Sequence, residues 1–107
     1  MVQTEENLKK ILLHLSENPK TWKDLLELTG FARGTLAKYL KKLLDKGQIS
    51  ERIDRRDRRV KIYSITDAGR EFLLEYIRQE EKELEEKRKE IDEIKRLLSF
   101  SEEIIYE

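Results

Sequence analysis

The sequence has no cysteine, one proline and only four glycines among its 107 residues. Without cysteine, the chain cannot form a disulfide, a thiolate metal site or a cysteine nucleophile. Proline and glycine are the residues that most often interrupt helices, and neither occurs after Gly69. We therefore expect a largely helical chain, and the absence of cysteine fits a cytoplasmic location.

Long apolar runs and catalytic motifs are also missing. No segment approaches the ~18 apolar residues of a membrane span, and the opening MVQTEENLKK has no apolar core of a secretory signal. There is no glycine-rich phosphate loop and no nucleophile motif, and the single histidine, His14, lies beside an apolar helical stripe. We expect no enzyme activity, no cofactor, no metal and no membrane contact, and no small-molecule effector is evident.

Charge is abundant and unevenly distributed. Charged residues make up 43% of the chain and hydrophobic residues 37%, with a formal net charge of zero. Residues 1–70 contain 16 Lys and Arg against 10 Asp and Glu, whereas residues 71–107 contain 7 against 13. We expect the basic part to contact a polyanion and the acidic part to have another role.

Apolar spacing predicts three helices before residue 47. The first carries a stripe of four apolar residues and ends at Asn18-Pro19, and the second opens with a capping box at Thr21–Asp24. Thr29-Gly30-Phe31 forms a tight turn before the third helix, ARGTLAKYLKKLLDKG. The inward-facing residues of the first and third helices are Leu8, Ile11, Leu12, Leu15, Leu36, Leu40, Leu43 and Leu44.

Two β-like stretches follow, Gln48–Ile53 and Arg59–Ile65, and turn-prone residues lie between them. Thr66-Asp67 then caps a last helix that can run from Asp67 to Leu98. The predicted fold is mainly α with a two-stranded β wing. It consists of a winged helix-turn-helix over residues 1–66 and a long dimerisation helix with an apolar tail over 67–107. The tail is expected to fold back on that helix or onto a partner subunit.

The outer face of the third helix is polar and cationic. The residues left outside are Arg33, Gly34, Thr35, Lys38, Tyr39, Lys41 and Lys42. Early positions of a helix in a major groove reach base edges, where arginine binds guanine, and lysines suit phosphates. Taken alone, this face can also be an ordinary solvated surface. Next to an arginine-rich hairpin it favours DNA contact.

The hairpin tip, residues 51–59, contains five arginines within eight positions. A turn needs Asp54 and Asp57 but does not need so many cations. Protection of an edge strand by charge is the alternative, although one or two lysines usually suffice for that. We expect two to four of the five arginines to touch a phosphate backbone or a minor groove, and others to pair with the aspartates. The candidates are Arg55, Arg56, Arg58 and Arg59.

The last helix carries a heptad seam. Four apolar residues recur at intervals of seven and occupy one of the two seam positions of the heptad. The other seam position holds apolar residues towards the two ends of the helix but polar residues, Glu80 and Lys87, in its middle. A lone charged helix is the alternative, but it leaves this seam in water. We expect dimerisation, with parallel and antiparallel pairing both open, through Ile77, Leu84, Ile91, Ile94 and Leu98.

Residues 29–50 and 60–73 resemble winged helix-turn-helix transcription regulators of the MarR, ArsR and PadR kind. The first segment, TGFARGTLAKYLKKLLDKGQIS, resembles the turn, the recognition helix and the entry to the wing. The second, VKIYSITDAGREFL, resembles the exit from the wing into the last helix. The layout of the full chain is similar to that of small archaeal DNA-binding proteins with one long C-terminal coiled-coil helix.

The resemblance implies a homodimer with residues 33–42 in successive major grooves and residues 54–59 on flanking backbone or minor groove. Two features depart from the pattern. Ala32 occupies the helix cap where serine or threonine is usual, and the extra N-terminal dimerisation helix of MarR proteins is missing, which leaves little room for their effector pocket.

We therefore expect a DNA-binding transcription regulator that acts as a homodimer. An architectural or chromatin-type DNA binder that does not read bases is an alternative, and so is a winged helix that binds another protein. The target sequence and the choice between activation and repression are not encoded in these patterns.

Overall fold

The computed structural model describes the backbone of residues 2–106 and the side chains of residues 3–99. Within this part of the chain lie four helices and three strands. They are α1 (Val2–Glu17), β1 (Lys20–Thr21), α2 (Trp22–Thr29), α3 (Arg33–Asp45), β2 (Ile49–Ile53), β3 (Lys61–Ile65) and α4 (Asp67–Tyr106). The fold is a winged helix-turn-helix followed by a long C-terminal helix, as predicted.

The chain divides into two compact units, Met1–Leu74 and Glu75–Glu107. The first two turns of α4 thus belong to the first unit, because Leu73 is part of its core. The sequence placed a domain boundary at residue 66, where the last helix begins. Whether the DNA-binding domain ends functionally at that residue stays a prediction.

The core of the first unit is built from helical stripes and one face of the sheet. Residues of α1 and α3 at three- and four-residue spacing lie side by side and point inward, which confirms the predicted stripes. Leu44, predicted to point inward, lies half-buried at the edge of this core. The buried residues are Leu8, Ile11, Leu12, Leu15, Leu25, Leu36, Leu40, Leu43, Ile49, Tyr63, Ile65 and Leu73.

The turn between α2 and α3 follows the predicted chemistry. Asp24 N–H donates to Thr21 Oγ1 at 3.1 Å, and Thr21 N–H donates to Asp24 Oδ2 at 3.2 Å, which completes the capping box. Gly30 ends α2 with φ of 71°, a left-handed conformation that glycine adopts without strain. Ala32 caps α3 with no side-chain hydrogen bond, as expected. These features fix how α3 leaves the turn.

The sheet has one strand more than the sequence indicated. Strands β2 and β3 form the antiparallel wing, with Ile49 opposite Ile65 and Ile53 opposite Lys61. The short β1 pairs with the other edge of β3, so the order is β1-β3-β2. Two residues after Pro19 are too few to show strand alternation, which explains why β1 was not predicted. Strand β3 is paired along both edges; Tyr63 and Ile65 on one face are buried, whereas Ile62 and Ser64 on the other face are half-buried.

The outer half of the wing extends beyond the core. Ile49 and Ile53 lie on one face of β2, as predicted, yet Ile49 is 3% exposed and Ile53 is 57% exposed. The core therefore covers only the base of the hairpin. Residues beyond Ile53 are held by the hairpin itself and are open to a partner.

The start of α4 is packed tightly on the entry to the wing. Thr66 Oγ1 accepts a hydrogen bond from Gly69 N–H at 3.2 Å, and its hydroxyl donates to the Gly47 carbonyl at 2.6 Å. A Cβ at Gly69 would collide with the Gln48 carbonyl oxygen, so only glycine fits there. The helix continues to Tyr106, beyond the predicted end at Leu98. Side chains from residue 100 onward, and thus the predicted packing of the tail, lie outside the described residues.

Candidate nucleic-acid interface

Helix α3 presents most of the predicted contact residues to solvent. Its buried leucines anchor the inner face, so the opposite arc points outward. Of the seven residues predicted from the sequence, all but Tyr39 are exposed. The exposed ones are Arg33, Gly34, Thr35, Lys38, Lys41 and Lys42.

The cations of this face have no acidic partner among the described side chains. The six ion pairs found there involve residues of α1, the wing and α4, and none involves Arg33, Lys38, Lys41 or Lys42. The only acidic residue of α3 is Asp45, at its last position. An incoming anion therefore meets unpaired positive charge along the exposed arc.

The wing tip is built by a repeated Asp-Arg-Arg motif at residues 54–59. Asp54 Oδ1 accepts from Arg56 N–H at 2.9 Å, and Asp57 Oδ1 accepts from Arg59 N–H at 3.0 Å. These are Asx-type turns, in which an aspartate holds the backbone two residues further on. The aspartates thus shape the tip while the arginines project from it.

Arg59 differs from the other arginines at the tip. Its Nε donates to Asp57 Oδ1 at 3.1 Å and a terminal nitrogen donates to Asp57 Oδ2 at 3.2 Å. This side-chain hydrogen bond, followed by the one from the Arg59 backbone, lowers the pKa of Asp57. Arg55, Arg56 and Arg58 are exposed and lack an ion pair within the described part of the chain. The sequence indicated that some arginines pair with aspartates but did not identify which.

Tyr39 lies half-buried on the flank of α3 that faces α1. Its ring packs against the core and meets the Phe31 ring edge-on, with centroids 5.5 Å apart. Asn7 Nδ2 donates to the Tyr39 hydroxyl oxygen at 3.0 Å. Sequence reasoning missed Asn7, and the only local signal was a polar residue at a buried position of the α1 stripe, next to Leu8.

A groove of about 640 Å³ lies between the start of α2, helix α3 and the wing. Tyr63 is buried in its wall, where desolvation, followed by a hydrogen bond to Glu51, raises the pKa of the phenol. Lys41 and Arg59, both predicted DNA contacts, are at its rim. The remaining lining includes Thr21, Trp22, Lys23, Ala37, Leu40, Leu44, Asp45, Val60 and Lys61. The groove has an apolar wall and a mainly cationic rim.

In the second unit, the predicted seam of α4 is open to solvent. Its five apolar members are between 44% and 66% exposed, and Leu84 is the most exposed of them. Every side chain described between residues 77 and 99 is exposed. The exposed large apolar residues here are Ile77, Leu84, Ile91, Ile94, Leu97 and Leu98, of which Leu97 was not predicted.

The described residues contain neither a candidate metal cluster nor a candidate membrane-spanning helix. No group of three or more His, Asp or Glu side chains is arranged to hold a metal ion. None of the described helices is both long enough and apolar enough to cross a bilayer.

Comparisons with known proteins point to one kind of domain. Residues 4–50 match a family model described as winged helix-turn-helix DNA-binding. Among solved structures, the transcriptional regulator BldR from Sulfolobus solfataricus is 31% identical with a TM-score of 0.62, over 65% of this chain and 50% of that one. No curated protein matches the chain.

Two further solved structures are similar. MarR is 26% identical with a TM-score of 0.65, over 71% of this chain and 56% of that one. ZitR from Lactococcus lactis, described as a zinc-responsive MarR family member, is 25% identical with a TM-score of 0.61, over 71% of this chain and 53% of that one. The chain thus spans about half the length of the structures it matches.

Proposed function

We propose that this chain, whose residues 4–50 match the winged helix-turn-helix DNA-binding family, regulates transcription by binding double-stranded DNA as a homodimer. The observation that carries this function is the exposed row of unpaired cations on α3, next to a wing tip with three unpaired arginines. Phosphates of duplex DNA supply the matching negative charge. Such a role implies a cytoplasmic location and no catalytic step.

The exposed arc of α3 fits the major groove, which is wide enough to admit an α-helix. Arg33, Gly34 and Thr35 form the first turn, the part that reaches base edges when a recognition helix enters the groove. Gly34 lacks a side chain, so the backbone can approach the bases closely. The three lysines of this face lie further along the helix and suit phosphates.

The wing extends the same surface. Since only its base is covered by core, Arg55, Arg56 and Arg58 can lie along the backbone or enter a minor groove. Arg59 is held by Asp57 and is expected to contribute less than the other three.

Homodimerisation through α4 accounts for the exposed seam. Five large apolar side chains in water along one helix are unfavourable, and a second copy of the same helix buries them at heptad spacing. Two DNA-binding domains in one dimer can then contact two half-sites.

The salt dependence of binding tests DNA recognition. If each subunit places about four cations on phosphates, log K falls with log salt at a slope near −7, from ~−0.9 per contact. Lys38→Gln should reduce this slope, whereas Lys89→Gln, the same change on the acidic helix, should not. A wild-type slope shallower than about −2 would contradict DNA binding, and equal affinity for random and selected duplexes would favour an architectural role.

Cysteine crosslinking tests the dimer and the direction of helix pairing, because the chain has no cysteine of its own. In a parallel pair, Ile77→Cys crosslinks with itself, since identical positions face each other. In an antiparallel pair that keeps the apolar ends in contact, it crosslinks with Ile94→Cys instead. No crosslink in either case would contradict dimerisation through this seam.

A further inference from the structure

We propose that the Tyr39 hydroxyl donates a hydrogen bond to a phosphate oxygen of bound DNA, and that Asn7 is the positioning residue that directs this proton outward. The inference rests on the proposed DNA-binding function and adds to it. It gives a residue of α1, outside the helix-turn-helix, a part in DNA binding, and it assigns Tyr39 a neutral contact rather than a base contact.

The first step is the accounting of hydrogen bonds at Tyr39. A phenol oxygen has one proton to give and lone pairs to accept with. Asn7 Nδ2 already donates to this oxygen at 3.0 Å, so the lone pair facing α1 is used. The proton of Tyr39 must point elsewhere, and no described residue accepts it.

The second step concerns the other hydrogen bond of Asn7. Asn7 is 7% exposed and is the one buried polar side chain among the described residues. Gln3 Nε2 donates to Asn7 Oδ1 at 3.3 Å, which occupies the carbonyl end of the amide and leaves the nitrogen end for Tyr39. In this arrangement of the two amides, the hydrogen bond between α1 and α3 runs from Asn7 to Tyr39.

The third step concerns where the free proton lies. The Tyr39 ring is held by Phe31 and the core, while the side chain keeps partial exposure. Its neighbours along α3 are Lys38 and, one turn on, Lys42, both proposed phosphate contacts. A phosphate drawn to these cations brings anionic oxygens to this flank, and they are strong acceptors for a hydroxyl.

Tyr63 provides a contrast within the same domain. Burial, followed by the Glu51 side chain on the facing strand, raises the pKa of its phenol, so an acceptor for its proton lies inside the chain. The two tyrosines therefore have the same chemistry but differ in where the proton goes. Tyr63→Phe is a matched control for the loss of a hydroxyl.

The experiment measures binding of the full-length protein to a fluorescein-labelled 24-base-pair duplex of mixed sequence by anisotropy, at several salt concentrations. Tyr39→Phe keeps the ring and should weaken binding by about tenfold to a hundredfold, the effect of losing a hydrogen bond to a charged group. The salt slope should stay unchanged, because a neutral donor releases no counterion. Tyr63→Phe should leave affinity within about twofold, since its hydroxyl does not face DNA.

Asn7→Asp tests the positioning role. A carboxylate of the same shape accepts the Tyr39 proton and turns it away from DNA, while its charge also repels phosphates. The charge effect alone appears when Asn7→Asp is added to Tyr39→Phe. Asn7→Asp should therefore lower affinity more in the wild-type protein than in the Tyr39→Phe variant. The difference between these two losses should be about as large as the loss caused by Tyr39→Phe alone.

The outcomes separate the two levels of inference. If the wild-type protein does not bind the duplex, the proposed function itself fails. If the wild type binds and Tyr39→Phe binds equally well, the phosphate contact is wrong. If Tyr39→Phe lowers the salt slope together with affinity, neighbouring cations have been displaced, and the direct contact is again wrong. A lower melting temperature is expected in either case, because Asn7 Nδ2 loses its acceptor. Equal effects of Asn7→Asp in both backgrounds would remove the positioning role.

Discussion

Helices α3 and α4 carry apolar residues at similar helical spacing but in opposite surroundings. Leu36, Leu40 and Leu43 of α3 are at most 2% exposed, because α1 and the sheet cover them. Leu84 and Ile91 of α4 are 66% and 44% exposed. Spacing determines which face of a helix is apolar, but the rest of the chain decides whether that face is covered. In α4 none of the described side chains covers that face.

The arginines of the two regions differ in the same way. On α4, Arg78 pairs with Glu75 and Arg96 with Glu93, each within one turn of the helix. On the wing, Arg55, Arg56 and Arg58 have no such partner in the described part of the chain. The long helix pairs some of its cations within one turn and exposes its apolar groups. Helix α3 instead buries its apolar groups, and its cations form no ion pair among the described side chains.

The largest expected difference between the two helices is in folding stability. Leu36→Ala should lower the free energy of unfolding of the first unit by about 2–5 kcal/mol, the usual cost of a cavity in a core. Leu84→Ala should change it by less than about 0.5 kcal/mol, since it removes nothing from that core. Denaturant unfolding followed by the fluorescence of Trp22, the single tryptophan, measures both. Equal losses of unfolding free energy in the two variants would show that the apolar faces of α3 and α4 contribute equally to the stability of the first unit.

The second prediction concerns association. Leu84→Glu should weaken the dimer by about 3 kcal/mol or more, over a hundredfold, because a carboxylate is then buried without a partner in the seam. Gln79→Glu introduces the same charge off the seam and should have little effect. Sedimentation equilibrium measures both dissociation constants, and the melting of the first unit should be unchanged. A Leu84→Glu protein that stays dimeric would place the interface elsewhere.

The third prediction fills the polar middle of the seam. Replacing Glu80 and Lys87 together by leucine should stabilise the dimer by about 1–2 kcal/mol, since polar seam positions lower coiled-coil stability. The concentration dependence of α4 melting, followed by circular dichroism, measures the gain. The same two leucines at Glu86 and Lys89, outside the seam, provide the control. No gain would indicate that residues 80 and 87 face water in the dimer.

Local patterns predicted most of the first unit. The stripes of α1 and α3, the capping box, the turn at Gly30 and the wing all follow from periodicity and turn chemistry within a few residues. Strand β1 was missed because its pairing with β3 depends on residues far along the chain. The bond between Asn7 and Tyr39 joins residues 32 positions apart, so no local pattern contains it.

Among the candidate site residues, the sequence identified exposed cations well but not their pairing. Six of the seven predicted positions on α3 are exposed, because the leucines that mark the buried face of a helix also determine which residues lie on its exposed face. The pairing of Arg59, rather than Arg55, Arg56 or Arg58, depends on the two turns of the tip. Which side chain reaches which carboxylate is a property of that backbone shape and is not encoded in the order Asp-Arg-Arg.

The smallest expected effect tests whether this pairing restrains the wing. Asp57→Asn keeps a side-chain oxygen for the Arg59 N–H, and thus the turn, but removes the charge that holds the guanidinium. Affinity for duplex DNA should rise by about twofold to fivefold, and the salt slope should steepen by up to ~0.9 per subunit. Asp54→Asn removes the same charge from the same tip without releasing an arginine, since Asp54 holds only a backbone N–H. The amount by which Asp57→Asn raises affinity for DNA beyond Asp54→Asn therefore measures the contribution of the released Arg59 side chain.

The pH dependence of this excess provides a second check. The pKa of Asp57 lies below its ordinary value of 3.8, because Arg59 donates to the carboxylate with its side chain and its backbone. A lowered pKa means that the pair is fully formed above the ordinary value and is lost only as the pH falls through the lowered one. The ratio of the two variants' affinities should thus be constant between pH 5 and pH 8. A ratio that approaches one already at pH 5 would show that the pair with Asp57 does not restrain Arg59.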